Sequence, residues 1–111
     1  MNTLRLTALG FLLVTISASA QESKAAMPLT ANPVYQQNCA KCHGKTAEGR
    51  FMAGPSLVSD KTSAISADTL RDVIANGKHR MPKFGEKLPA PDIDALVTQI
   101  KAQQIEAHKK P

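Results

Sequence analysis

The residues with most chemistry to offer are Cys39-Ala40-Lys41-Cys42-His43, a C-x-x-C-H run. That run is read as a site of covalent haem attachment. Two thiols three residues apart on one helical turn can each form a thioether to a haem vinyl group, and the histidine that follows then sits under the iron. A second soft donor stands later in the chain, at Met81-Pro82. A thioether on the far side of the iron would complete His/Met ligation, an arrangement that raises the reduction potential. The chemistry these residues predict is one-electron transfer.

Competing chemistries for the two thiols fit less well. Export favours disulfides, so a Cys39–Cys42 disulfide is the plain alternative, but it leaves His43 without a reason to follow. A redox-active C-x-x-C needs a βαβ setting, and the chain has no convincing strand. A zinc site would need a distant fourth ligand such as His79 or His108. It would also need adjacent Cys42 and His43 on one tetrahedral ion, whereas structural zinc sites use separated ligand pairs.

The elements around the motif are spaced as a small helical domain. Residues 1–20 read as a signal peptide: a short n-region with Arg5, an apolar stretch from Leu6 to Ile16, and the small-x-small site Ala18-Ser19-Ala20. The apolar run is about half of the roughly 20 residues a membrane span requires. Cleavage after Ala20 leaves 91 of the 111 residues, with Gln21 rather than Cys at the new N-terminus and so no lipoprotein attachment point. A chain of that size lies near the lower limit for a self-sufficient core. It has no Trp, one Tyr and two Phe, the third Phe of the sequence (Phe11) lying in the signal, and a large apolar cofactor would supply the missing surface.

Residues 21–30 read as a flexible lead and 105–111 as a frayed tail, with one domain between them at 31–104. Asn32 and Pro33 look like N-cap and N1 of a first helix reaching about Cys42, with Tyr35, Cys39 and Cys42 on one face. Gly44 would end it. Residues 45–62 read as a long ordered loop, in which Phe51, Met52, Leu57 and Val58 would offer apolar contacts beneath the cofactor. Ser66 looks like the cap of a second helix ending at Gly77. A third, from about Ala90 to Gln104, carries Ile93, Leu96, Val97 and Ile100 at helical spacing.

In this order the pieces resemble a class I c-type cytochrome of the small bacterial kind, over about Ala31 to Ala102. The resemblance rests on the Cys39–Gly44 motif, the Gly54-Pro55-Ser56-Leu57 loop, the Met81-Pro82-Lys83-Phe84 segment and the terminal amphipathic helix. It implies an all-α fold of three main helices and long loops around one covalent haem c. By the same resemblance Cys39 and Cys42 bind the vinyls, His43 ligates iron, Pro55 offers its carbonyl to the His43 ring, and Met81 is the sixth ligand. The chain departs from the family pattern at Ala31, where Gly is usual, at Gln99, where an aromatic is common, and at Pro89-Ala90-Pro91, where Ser or Thr would cap the helix.

Met52 and His79 are the rival donors to Met81. Met52 lies nine residues after His43 in the loop expected beneath the cofactor, and His79 reads as a surface residue, as does His108. Met27 falls in the lead. Lys78, His79, Arg80, Lys83 and Lys87 surround Met81, either as an ordinary solvated loop or as a docking rim for redox partner proteins with an acidic surface. Without Arg5 the chain has 13 basic and 9 acidic side chains. Nucleic acid is excluded as a partner by export and by the lack of an aromatic–basic reading surface.

The expected function is therefore a periplasmic, non-enzymatic electron carrier, either a monomer or a subunit of a redox complex, without stable insertion in a membrane. The alternatives are a haem subunit of a larger dehydrogenase or oxidase, or a haem protein open to CO, NO or peroxide should Met81 not ligate. The mature protein should have the mass of residues Gln21–Pro111 plus one haem, and that haem should survive acid–acetone extraction. A freely extracted haem, or a mass showing only a disulfide, would overturn this.

Overall fold

A computed structural model describes Lys24 and residues 26–111; the expected signal peptide lies outside the described residues. Among these the chain is helical, with no strands and only two isolated β-bridges. A short 3-10 helix, Leu29–Ala31, leads into α1 (Pro33–Asn38) and α2 (Ala40–His43). Then follow α3 (Asp60–Ser63), α4 (Ala67–Asn76) and α5 (Ala90–Lys109).

Local chemistry sets most of the helix starts. The Asn32 side chain accepts from the Val34 N–H, with Pro33 at N1. Ser59 caps α3 through the Thr62 N–H, and Ser66 caps α4 through the Thr69 N–H. Each satisfies one of the donors a helix N-terminus leaves unpaired. α5 has no side-chain cap, but Pro91 lies in its first turn, where a missing N–H costs nothing.

Four expectations need correction. The first helix is not continuous to Cys42: the turn breaks at Cys39 and restarts as α2. The loop after the motif is not wholly irregular, because α3 forms within it. α5 does not stop at Gln104 but runs to Lys109. Its last turns are held by tertiary bonds, from Gln104 Nε2 to the Leu57 carbonyl (2.8 Å) and between His108 Nε2 and Ser63 Oγ (3.0 Å). Finally, the lead is not loose where it is described, since Leu29 is buried in the core and Lys24 pairs with Asp92 on α5.

The core lies where the 3-10 helix and α4 pack on α5, with Leu29, Tyr35, Leu70, Ile74, Leu96 and Val97 at its centre. At the crossing of the N-terminal segment with α5, Gln99, where the resemblance leads one to expect an aromatic, makes a buried polar contact with Asn32, next to Ala31. Asn32 Nδ2 donates to Gln99 Oε1 at 2.7 Å, and both residues are 1% exposed. Gln99 Nε2 in turn donates to the Lys24 carbonyl at 2.6 Å, so its amide is used at both ends.

Asn32 thus fixes a helix start and a helix crossing with one side chain. Asn32→Ala removes the cap and strands Gln99 Oε1 in the core. The first loss costs about 1 kcal/mol and the second about 1–3 kcal/mol. Chemical denaturation of the holoprotein should show a destabilisation of about 3 kcal/mol, whereas a change below about 0.5 kcal/mol would mean that water replaces the bond.

Candidate haem attachment site

The motif straddles the break between α1 and α2. Cys39 is the residue between the two helices, and Cys42 and His43 lie in the last turn of α2. Gly44 then leaves the helix at φ 87°, a conformation that favours glycine. Tyr35, fully buried, donates its hydroxyl to the Gly44 carbonyl at 2.6 Å and so anchors this exit from within the core.

Both cysteines are free thiols, Cys39 half-buried and Cys42 exposed. Burial, with a smaller contribution from Cys42, pushes the Cys39 thiol up from 9.0 to about 11.

Residues 44–57 return beneath the motif and are bonded to it repeatedly. The Gly49 N–H donates to the His43 carbonyl at 2.7 Å, and the Leu57 N–H donates to the Ala47 carbonyl at 2.9 Å. Gly54 lies so close to α2 that a Cβ built on it would stand 2.8 Å from the Cys42 carbonyl oxygen. Only glycine admits that approach. The next residue, Pro55, places its carbonyl oxygen 2.8 Å from His43 Nδ1. With Nδ1–H donating there, the imidazole tautomer leaves the Nε2 lone pair free for a metal.

Met81 stands on a separate structure. Its N–H donates to the Lys78 carbonyl at 2.9 Å, closing a tight turn with His79 at φ 54°. Gly77, before this turn, has φ 75°, and a Cβ there would meet the Met81 carbonyl oxygen at 2.7 Å. After it, Phe84 and Gly85 donate to the Ile74 and Ala75 carbonyls, each at 2.9 Å, using acceptors that the end of α4 leaves open. Phe84 is buried, and Met81 is half-buried against the core. Lys78, His79, Arg80, Lys83 and Lys87 are all exposed.

Of the four residues expected beneath the cofactor, two project from the protein surface and two pack on its core. Phe51 is 94% exposed and Met52 78% exposed, whereas Leu57 is buried and Val58 half-buried. The reason is the turn itself: Arg50 and Gly54 exchange backbone hydrogen bonds at 3.0 and 3.2 Å, which puts residues 51–53 at a protruding tip. Sequence reasoning also missed Arg50, whose Nη1 donates to the Lys41 carbonyl at 2.6 Å. Its position next to the Gly49 turn was the available signal.

The family described as cytochrome C oxidase, cbb3-type, subunit III matches residues 26–100. The chain is also 35% identical over 106 residues to cytochrome c-555 of Methylococcus capsulatus, covering 92% of this chain and 85% of that one. The chain belongs to the c-type cytochromes. It is 32% identical over 73 residues to cytochrome c6 of Pyropia tenera, across 63% of this chain and 85% of the relative. Its fold is similar to that of the c-type cytochrome NirC, with a TM-score of 0.57 at 23% identity, covering 81% of this chain and 98% of that one.

This small class I c-type cytochrome is thus a haem c protein of electron transfer, all-α as the resemblance implied. The residues present fit the cofactor: two free thiols precede a histidine whose Nδ1 bonds Pro55 and whose Nε2 is open. The chain has two cysteines in all, which sets one covalently attached haem per chain.

Tyr35 makes the anchoring of this site testable by pH. Burial pushes its phenol up from 10.0 to about 12, with Cys39 ionisation as a lesser cause that thioether formation removes. Between those values the unfolded chain ionises its tyrosine and the folded one does not. Stability from this group is therefore fully present below pH 10 and lost as pH rises through 12. The denaturation midpoint of the wild type should fall more steeply across this window than that of Tyr35→Phe. At neutral pH the variant should be less stable by about 1–2 kcal/mol, because the Gly44 carbonyl loses its donor. Parallel pH profiles would overturn the assignment.

Proposed function

We propose that the chain is exported to the periplasm with cleavage after Ala20 and carries single electrons between redox proteins. In this reading Cys39 and Cys42 hold the haem, His43 and Met81 are its axial ligands, and the Pro55 carbonyl orients His43. The observation that carries it is the 2.8 Å contact between His43 Nδ1 and the Pro55 carbonyl, on a histidine that directly follows a cysteine pair spaced for haem vinyls. That contact fixes the ring and increases its electron donation. Held by these residues, haem c would supply one-electron chemistry at its iron, between Fe(III) and Fe(II).

Met81 is favoured over His79 as the sixth ligand by the turn that contains both. Met81 lies half-buried against the core, while His79 sits exposed with positive φ at the tip. With both axial positions filled by protein, the iron is closed to substrate, which suits a carrier rather than an enzyme. The exposed cations around Met81 supply a field for steering an acidic partner, an effect that weakens with salt. No helix among the described residues is long and apolar enough to cross a membrane. A second reading, a subunit of an oxidase complex, is favoured by the description of the matching family. Size-exclusion of the native extract separates it from the free carrier.

Oxidised holoprotein should show the weak sulfur-to-iron charge-transfer band at the red end of the visible spectrum. Met81→Ala should abolish the band, lower the reduction potential and let reduced iron bind CO, while His79→Ala should leave all three unchanged. The opposite pattern would make the protein a bis-histidine cytochrome of lower potential.

A further inference from the structure

Arg50 ties the attachment helix to the loop that holds His43. Its guanidinium donates to the Lys41 carbonyl, between the two cysteines, at 2.6 Å. Its backbone exchanges hydrogen bonds with Gly54, the residue before Pro55. Its aliphatic stem crosses Gly44, where a built Cβ would stand 3.7 Å from Arg50 Cγ. None of the ion pairs among the described residues includes Arg50, so its charge serves a carbonyl rather than a carboxylate.

A cation on the last carbonyls of a helix is favourable in any protein. Here the same residue also sets the far side of the ring. From Arg50 Nη1 the path runs through Lys41 and Cys42 to His43 on one side. On the other it runs through the Arg50 backbone and Gly54 to Pro55. The His43–Pro55 hydrogen bond closes the circuit. The close approach of Gly54 to the Cys42 carbonyl oxygen leaves no slack between the two arms.

We infer that Arg50 is a positioning residue for the proximal histidine: it clamps the Gly54-Pro55 turn against α2 and so sets the strength of the His43 Nδ1–H bond to the Pro55 carbonyl. This rests on the reading of His43 as axial ligand through Nε2. The clamp and the charge of Arg50 act oppositely on the iron. A loosened Nδ1–H bond makes the imidazole a poorer donor and raises the potential, whereas loss of a nearby positive charge lowers it. The bond itself is therefore the cleaner readout.

The test is hydrogen exchange of the His43 Nδ1 proton, followed by NMR in reduced holoprotein. Arg50→Met keeps the stem but removes every donor, and exchange should be at least about ten-fold faster. Arg50→Lys, which keeps a donor and the charge, should stay within about three-fold of wild type. Lys45→Ala, which removes a loop charge outside the circuit, should leave exchange unchanged. Gly54→Ala disturbs the circuit from the other arm and should accelerate exchange as Arg50→Met does, which keeps the inference testable if Arg50→Met does not mature. Wild-type exchange in Arg50→Met or in Gly54→Ala, or equal acceleration in Lys45→Ala, would overturn it. Failure of the ligand assignment is separate: the His43 ring would then lack the ring-current shifts of an iron-bound imidazole in the wild type itself.

Discussion

The hydrogen bond between His43 and the Pro55 carbonyl constrains more of this protein than any other contact. An imidazole can turn about two side-chain bonds, and only one setting points Nε2 along a fixed axis while Nδ1 faces an acceptor. α2 cannot hold that setting alone. It is four residues long, far below the length at which an isolated helix persists in water. Its stability is borrowed from what it touches: Tyr35 beneath its exit, Gly49 on the His43 carbonyl, and Gly54 against Cys42. The loop after the motif is long because it must leave the helix, turn twice and return with one carbonyl in place.

The same economy shapes the core. Tyr35 and Phe84 are its only buried aromatics among the described residues, and each does more than fill space. Tyr35 bonds the backbone at the motif's exit, and Phe84 pins the Met81 segment to the end of α4. At the crossing with α5, apolar contact is replaced by the Asn32–Gln99 amide pair. A fully satisfied buried amide specifies one register, since any slip would strand its polar atoms. Such a crossing depends less on shape and more on geometry than an aromatic packed on glycine.

The parts of this arrangement that were legible in sequence are those set by local chemistry. Ser66 and Gly77 bound α4 at the residues their types predict, because a hydroxyl cap and a positive-φ glycine act within one turn. The C-x-x-C-H run was legible because its chemistry permits few alternatives. What escaped was set at a distance. The last turns of α5 carry no sequence signal for continuing past Gln104, and they persist because Leu57 and Ser63 accept and bridge from another element. Phe51 and Met52 have the composition of core residues, yet a two-bond backbone clasp at Arg50 and Gly54 turns them outward. Hydrophobicity alone could not tell residues that pack on the protein core from residues that project from it.

The two sides of the site are built independently, and this bears on electron transfer. The His43 side is a closed ring of bonds within residues 39–57, while the Met81 side is a turn fastened to α4 at Gly77, Phe84 and Gly85. Neither side reaches its position through the other. In the proposed ligation, a change of one charge at the iron would meet two separately anchored side chains, each of which would have to break several backbone contacts to follow it. Interiors with two discrete anchors deform little under such a load. Small deformation means small reorganisation between oxidation states, which a carrier needs and which an iron open to substrate would forfeit.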